Sequence, residues 1–225
     1  MKKMNRIAAL LLTGLLAGGC TTTTTSKSTG QPRSTSADPF DGPTKPLTAN
    51  THFAAGQVAE SQNDLPRAID QYQQAIKLDK NFTKAWFQLG MIYTNLKQYD
   101  NAVVAWTGYT TATNGSAAGY SDLGYCLDLA GRTADAEAAY RQGIAADGKY
   151  EPCRVNYGLM LARLGRPDDA TRQLTAVLTE AEAHYDLASV YEAQGKKQEA
   201  KSEYRQALQC DPKFTDAKDR LAILN

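Results

Sequence analysis

The sequence predicts an all-α solenoid: about five helical hairpins of one size, closed by a C-terminal capping helix. Three observations carry that prediction. Glycine returns every 34 residues, at Gly56, Gly90, Gly124 and Gly158. Alanine keeps the same interval at Ala68, Ala102, Ala136 and Ala170. A large residue follows each alanine four places on: Tyr72, Trp106, Tyr140, then Leu174. A fixed period of this length marks stacked repeats, each burying its apolar face against its neighbours. Length alone, 225 residues, suggests one or two globular domains, but stacked repeats form a single elongated body.

Residues 1–19 read as an export signal. Lys2, Lys3 and Arg6 form a positive start, and Ile7 to Leu16 an apolar run too short to span a bilayer stably. Leu16-Ala17-Gly18-Gly19-Cys20 resembles a lipoprotein box, with Ala17 standing where leucine is commoner. The resemblance implies lipidation of Cys20, which becomes the mature N-terminus. The alternative is an ordinary secretory leader cut near Gly19. Acyl chains contribute about 0.8 kcal/mol per buried CH₂, so two or three hold a protein firmly on a membrane. Thr21 in place of aspartate implies, in a diderm cell, sorting to the outer membrane. Residues 20–47 are rich in Thr, Ser, Gly and Pro, with little to bury beyond Phe40 and Leu47. Such a stretch is expected to be a disordered tether, with a reach on the order of 30 Å.

The repeats occupy 48–225. Unit one, 49–82, carries Phe53, Gly56 and Ala59, turns at Asp64 and Pro66, and continues with Ala68, Tyr72, Ala75 and Ile76. Proline is tolerated there because the first turn of a helix leaves its N–H groups unpaired. Unit two, 83–116, holds the fullest pattern: Trp86, Leu89, Gly90 and Tyr93, then Ala102 and Trp106. Unit three, 117–150, repeats it with Tyr120, Leu123, Gly124, Leu127, Ala136 and Tyr140. Unit four, 151–180, turns at Gly165-Arg166-Pro167 and runs through Ala170, Leu174 and Val177, four residues short of the period. Four residues are about one helical turn, which predicts a shortened second helix and a local kink. Unit five, 181–214, resumes with Leu187, Ala188, Tyr191, Ala200 and Tyr204, closing at Asp211-Pro212. Residues 215–225 repeat only an opening half and supply the cap that a solenoid's last apolar face requires.

W-x2-L-G-x2-Y followed by A-x3-aromatic resembles the tetratricopeptide repeat (TPR). The period implies that Gly90 and Ala102 lie where helices cross closely, with Trp86 and Tyr120 filling the space beside them. Tyr109, where the family has a small residue, and Thr110–Ser116, which replace an Asp-Pro stop, predict a looser exit from unit two. By the same resemblance, partners lie along a groove lined by first helices. Its positions here are Phe53 and Gln57; Lys84, Phe87, Met91 and Asn95; Ser121, Tyr125 and Asp128; Val155 and Arg163; Tyr185 and Glu192. The aromatic members suit hot spots, burying large area at small entropic cost. The chaperone-adaptor TPRs use a Lys and Asn clamp for a C-terminal carboxylate; Phe53 and Gln57 occupy those places, so the co-chaperone reading fails.

Composition excludes other classes. There are 25 basic and 24 acidic side chains; without Lys2, Lys3 and Arg6 the balance is 22 against 24. No basic stripe for nucleic acid is expected. His52 and His184 both take the place that Trp86 and Tyr120 fill, and are expected to be structural. Cys126, Cys153 and Cys210 fall at packing places of the repeat, and no C-x-x-C pair or metal spacing occurs. A Cys126–Cys153 bridge is disfavoured, since the two lie at different heights on adjacent helices. Asp168-Asp169 and Glu180/Glu182 read as helix-start charges. No catalytic motif stands in context. The expectation is a non-enzyme, with no cofactor, metal or small-molecule substrate.

A short TPR lipoprotein of this layout is similar to the assembly lipoproteins of type IV and Tad (Flp) pili. That likeness implies an envelope scaffold whose partners are a secretin or other pilus-machine subunits. Two alternatives remain open: an adaptor for cell-wall enzymes, and an accessory subunit of an envelope enzyme complex.

Overall fold

The computed structural model of the protein describes residues 47–224. The leader of residues 1–19, Cys20 and the tether to residue 46 lie outside the described residues. Eleven α-helices and no strands occur among the described residues. They are α1 (Ala49–Ser61), α2 (Leu65–Leu78), α3 (Thr83–Asn95), α4 (Tyr99–Ala112), α5 (Ala117–Leu129) and α6 (Thr133–Ala146). The chain continues as α7 (Glu151–Arg163), α8 (Pro167–Thr175), α9 (Glu180–Ala193), α10 (Lys197–Cys210) and α11 (Thr215–Leu224). Consecutive helices pack as five hairpins, and α11 covers α10. First helices also touch one another across repeats, α5 on α7 and α7 on α9.

Each hairpin turns in the same way. One residue takes a left-handed backbone: Asn63, Lys97, Gly131, Gly165 and Gly195, with φ between 57° and 74°. The next residue's N–H then reaches back to a carbonyl in the last turn of the first helix, as from Gln98 to Tyr93 at 2.9 Å and from Arg166 to Leu161 at 3.0 Å. This closure satisfies carbonyls that a helix end leaves unpaired. The α2 start is capped by Asp64, whose carboxylate accepts from the Arg67 N–H, with Pro66 in the first turn. Thr179 and Glu182 form a reciprocal capping box at the start of α9.

The core runs through the middle of the hairpins. Tyr72, Trp106, Tyr140, Leu174 and Tyr204 are buried, as are the alanines four places before them. The glycines answer first to a large side chain, and at Gly158 also to the expected alanine, where a Cβ would stand 3.2 Å from the Ala170 carbonyl oxygen. A Cβ on Gly56, Gly90, Gly124 or Gly158 would lie 2.5 to 2.8 Å from the large side chain of the same hairpin, Tyr72, Trp106, Tyr140 or Leu174. The glycine is thus the floor on which the ring lies. Unit five solves the same problem with Ala188 opposite Tyr204, both buried.

Two further expectations change. The exit from unit two is tight, not loose. Asn114 and Gly115 turn the chain with positive φ, and the Gly115 N–H donates to Thr110 O at 2.8 Å. Ser116 then caps α5 by accepting from the Gly119 N–H at 3.1 Å. A Cβ on Gly119 would stand 2.9 Å from Thr110 Cα, so the α4 and α5 backbones touch. In unit four the second helix is indeed short, nine residues against fourteen in the other hairpins. Val177, however, lies past its end and packs from the turn onto the main core.

Cys126 and Cys153 are buried free thiols, whereas Cys210 is exposed, contrary to the packing role expected. It ends α10 one turn beyond buried Ala207, at a register where Leu78 of unit one is exposed too. His52 Nδ1 pairs with Gln71 Oε1 at 2.8 Å and His184 Nδ1 with Glu203 Oε2 at 2.7 Å, each tying a first helix to its second. No helix among the described residues is long and apolar enough to cross a membrane.

Candidate partner-binding groove

At the N-terminal end of the array, α1 and α3 together with α4 form a cleft of about 310 Å³. Phe53 and Gln57 come from successive turns of α1. Lys84 and Phe87 come from α3, and Tyr109 reaches in from α4. On α3 the spacing Lys84, Phe87, Met91, Asn95 keeps one side of the helix. Met91 and Asn95 therefore extend the cleft wall by one and two turns, both exposed.

Aromatic packing decides which rings remain available. Phe53 lies tilted against Tyr72 and Phe82, with centroids 5.4 and 5.3 Å away. Tyr185 repeats the arrangement with Tyr204 and Phe214 at 5.5 and 5.1 Å. In both units a phenylalanine at the last place covers the ring. Unit two has Ser116 there, so nothing equivalent covers Phe87, which stays 37% exposed. It stands edge-on to Trp106 and Tyr109 at 5.4 and 5.5 Å. Met91 beside it is 41% exposed. The result is a rigid aromatic wall with one open ring.

Polar groups frame that wall. Glu60 Oε2 accepts from Tyr72 Oη at 2.7 Å and from Gln88 Nε2 at 3.2 Å, fixing Gln88 at the cleft edge. Lys84 supplies an exposed cation. Burial raises the pKa of Tyr109, with a further push from the charge of Asp122 on α5. Burial alone lifts Asp122 itself to about 6.

The structure joins Phe53, Gln57, Lys84 and Phe87 in this one cleft, while Tyr125, Arg163 and Tyr185 stand further along the stack. Tyr125 is half-buried on α5. Arg163 pairs with Asp128, and its carbonyl accepts from Gln194 Nε2 at 3.0 Å. Its side chain and backbone thus tie α7 to α5 and α9. Glu192 is occupied as well, accepting from Tyr204 Oη at 2.9 Å. Ser121 and Val155 are buried between helices and offer no groove surface. Tyr109 was the residue the groove pattern lacked; its signal was the oversized ring at a place the repeat keeps small. Among the described residues no group of three or more His, Cys, Asp or Glu is placed to hold a metal ion.

Residues 181–214 match the family model for the tetratricopeptide repeat and residues 56–97 a second TPR model. The solved structure of YrrB, described as a TPR protein with an unusual peptide-binding site, superposes with a TM-score of 0.54 at 22% identity, covering 76% of this chain and 91% of that one. The fold is a TPR solenoid. PilW, described as a widely conserved type IV pilus biogenesis factor, shares the TPR fold with a TM-score of 0.54 and 21% identity, over 72% of this chain and 77% of its own. Among curated proteins, the probable UDP-N-acetylglucosamine–peptide N-acetylglucosaminyltransferase SPINDLY of Hordeum vulgare is 30% identical over 131 residues. That match takes in 54% of this chain but only 14% of SPINDLY, a much longer protein.

Proposed function

We propose that the chain is a non-catalytic TPR scaffold of the cell envelope, anchored to a membrane through Cys20, that grips an extended segment of a protein partner along its first helices. The observation that carries this reading is the open ring of Phe87 beside Met91, held over a preformed cleft by Trp106 and Tyr109. A solvent-exposed aromatic anchor that is already rigid loses little entropy on binding, which favours a recognition role. Gln57, Gln88 and Lys84 at the edge suit the backbone and acidic groups of a peptide.

Pilus or secretion-system assembly is the setting we favour, with a secretin or another pilus subunit as partner. The lipoprotein-like leader and the length of the array support it, and the PilW likeness is compatible at the level of fold. The test is partner capture by the intact protein beside a Lys84→Glu/Met91→Glu variant, whose changes fall on exposed positions. Loss of secretin or pilus subunits from the variant supports the reading. Unchanged capture places the contact elsewhere, and recovery of cell-wall enzymes in their stead points to the adaptor role.

A further inference from the structure

We propose that a second, chemically different site lies on the opposite helices: an arginine-walled cleft between α6 and α8 that takes an acidic segment of a protein partner. The cleft encloses about 380 Å³ over the side of α7. Arg141, Arg154, Arg166 and Arg172 line it, with Asp169 as its one acidic wall residue.

The local network shows a built surface. Glu137, just beneath the rim, accepts from Tyr157 Oη at 2.9 Å and pairs with Arg141 at 2.5 Å and Arg166 at 3.0 Å. Arg166 also reaches Asp169 at 2.6 Å, and Asp169 pairs with Arg172. Burial would raise the Glu137 pKa, yet the Tyr157 bond and the two guanidinium groups hold it below the usual carboxylate range. The two carboxylates remain ionised at neutral pH and space the guanidinium groups apart. Four cations against two anions leave the cleft positive.

Arg154 adds a preoriented cation to this surface. It is half-buried at the place where other units put Trp86 or Tyr120. Its guanidinium donates to Gly148 O at 2.6 Å and Gln173 Oε1 at 2.8 Å, neutral acceptors that orient the group without cancelling its charge. Arginine presents a flat donor fork matched to carboxylates, and a fixed fork loses less entropy on pairing.

The equivalent cleft two repeats earlier serves as an internal control. There the places of Arg141, Arg154 and Arg172 hold Gln73, Trp86 and Val104, and Asp169 is Asn101. The same scaffold position is uncharged in one pair of units and cationic in the other, so packing alone does not demand the arginines. An elongated cleft between two helices fits an extended chain, and its charge selects an acidic one.

The test uses the full-length chain and a fluorescein-labelled octaglutamate peptide, read by anisotropy. Binding should weaken at least about tenfold in Arg141→Glu/Arg172→Glu, whose side chains are 66% and 73% exposed. It should weaken in Arg154→Gln and persist in Phe87→Ala, which separates this site from the first-helix groove. Affinity should also fall with rising salt. Unaltered octaglutamate binding by the double variant overturns the proposal. So does a short DNA duplex or an anionic vesicle that needs these arginines while the peptide does not.

Discussion

Replacing Gly90 tests the packing rule of the array most sharply. A Cβ there would lie 2.6 Å from Cδ2 and Cε2 of Trp106 and 2.8 Å from Cζ2. The indole has nowhere to retreat: it is buried, its Nε1 donates to Thr94 Oγ1 at 3.0 Å, and Phe87 and Tyr109 press on it edge-on. Gly90→Ala gains up to about 1 kcal/mol of helix propensity, against an overpacking cost of about 1–3 kcal/mol. The net should be a loss of about 1 kcal/mol, and Gly90→Leu should reach the upper end of the overpacking range or exceed it. Unit five shows the remedy, because Ala188 coexists with Tyr204. Gly90→Ala combined with Trp106→Tyr should therefore be more stable than the two single losses predict, by about 1 kcal/mol or more. Urea unfolding followed by circular dichroism measures these three and Trp106→Tyr alone, and in thermal melts each kcal/mol should appear as about 2–4 °C in Tm. Additivity within about 0.5 kcal/mol, or a Gly90→Leu protein as stable as wild type, would refute the ring-on-glycine account.

The folded-state pKa of Asp122 is raised to about 6 from an ordinary 3.8 by burial, so between those values the native state holds more protons than the unfolded one. Stability therefore falls as pH rises from about 4 to about 6 on account of this group. Asp122→Asn should remove that slope and add on the order of 1–3 kcal/mol at neutral pH, with little change at pH 4; identical pH profiles for the two proteins would contradict it. Cys20→Ala should move the protein from the membrane to the soluble fraction, and retention in the membrane pellet would exclude lipidation as the anchor.

Much of this fold is legible in the chain because repetition multiplies a weak signal. One Gly90–Trp106 pair says little, but the same separation recurs at Gly56–Tyr72, Gly124–Tyr140 and Gly158–Leu174. The missing turn of unit four is visible as four absent residues, and α8 is accordingly short. Side-chain detail is less legible, because it depends on neighbours distant in sequence. Ser121 and Val155 occupy groove register yet are buried by adjacent helices. Phe53 and Tyr185 share a register with Phe87 but are covered by Phe82 and Phe214, and only the substitution of Ser116 opens the third ring. Tyr109 was visible as an anomaly but pointed to a loose exit, whereas its ring completes the cleft and Gly119 makes the exit tight. The arginine cleft is not legible in the sequence because Arg141, Arg154 and Arg172 sit on three different helices, Arg166 in the turn before the last of them, and all are balanced in the overall charge.

The central claim is that the first-helix face around Phe87 touches a protein partner. A photo-crosslinking amino acid placed at Met91, on that face, and separately at Val104, 65% exposed in the uncharged cleft beside α2, tests it in the native cell. The account predicts a discrete protein adduct from Met91 that disappears when Phe87 is changed to Ala, and none of that mass from Val104. An adduct formed at Val104 but not at Met91 would contradict it.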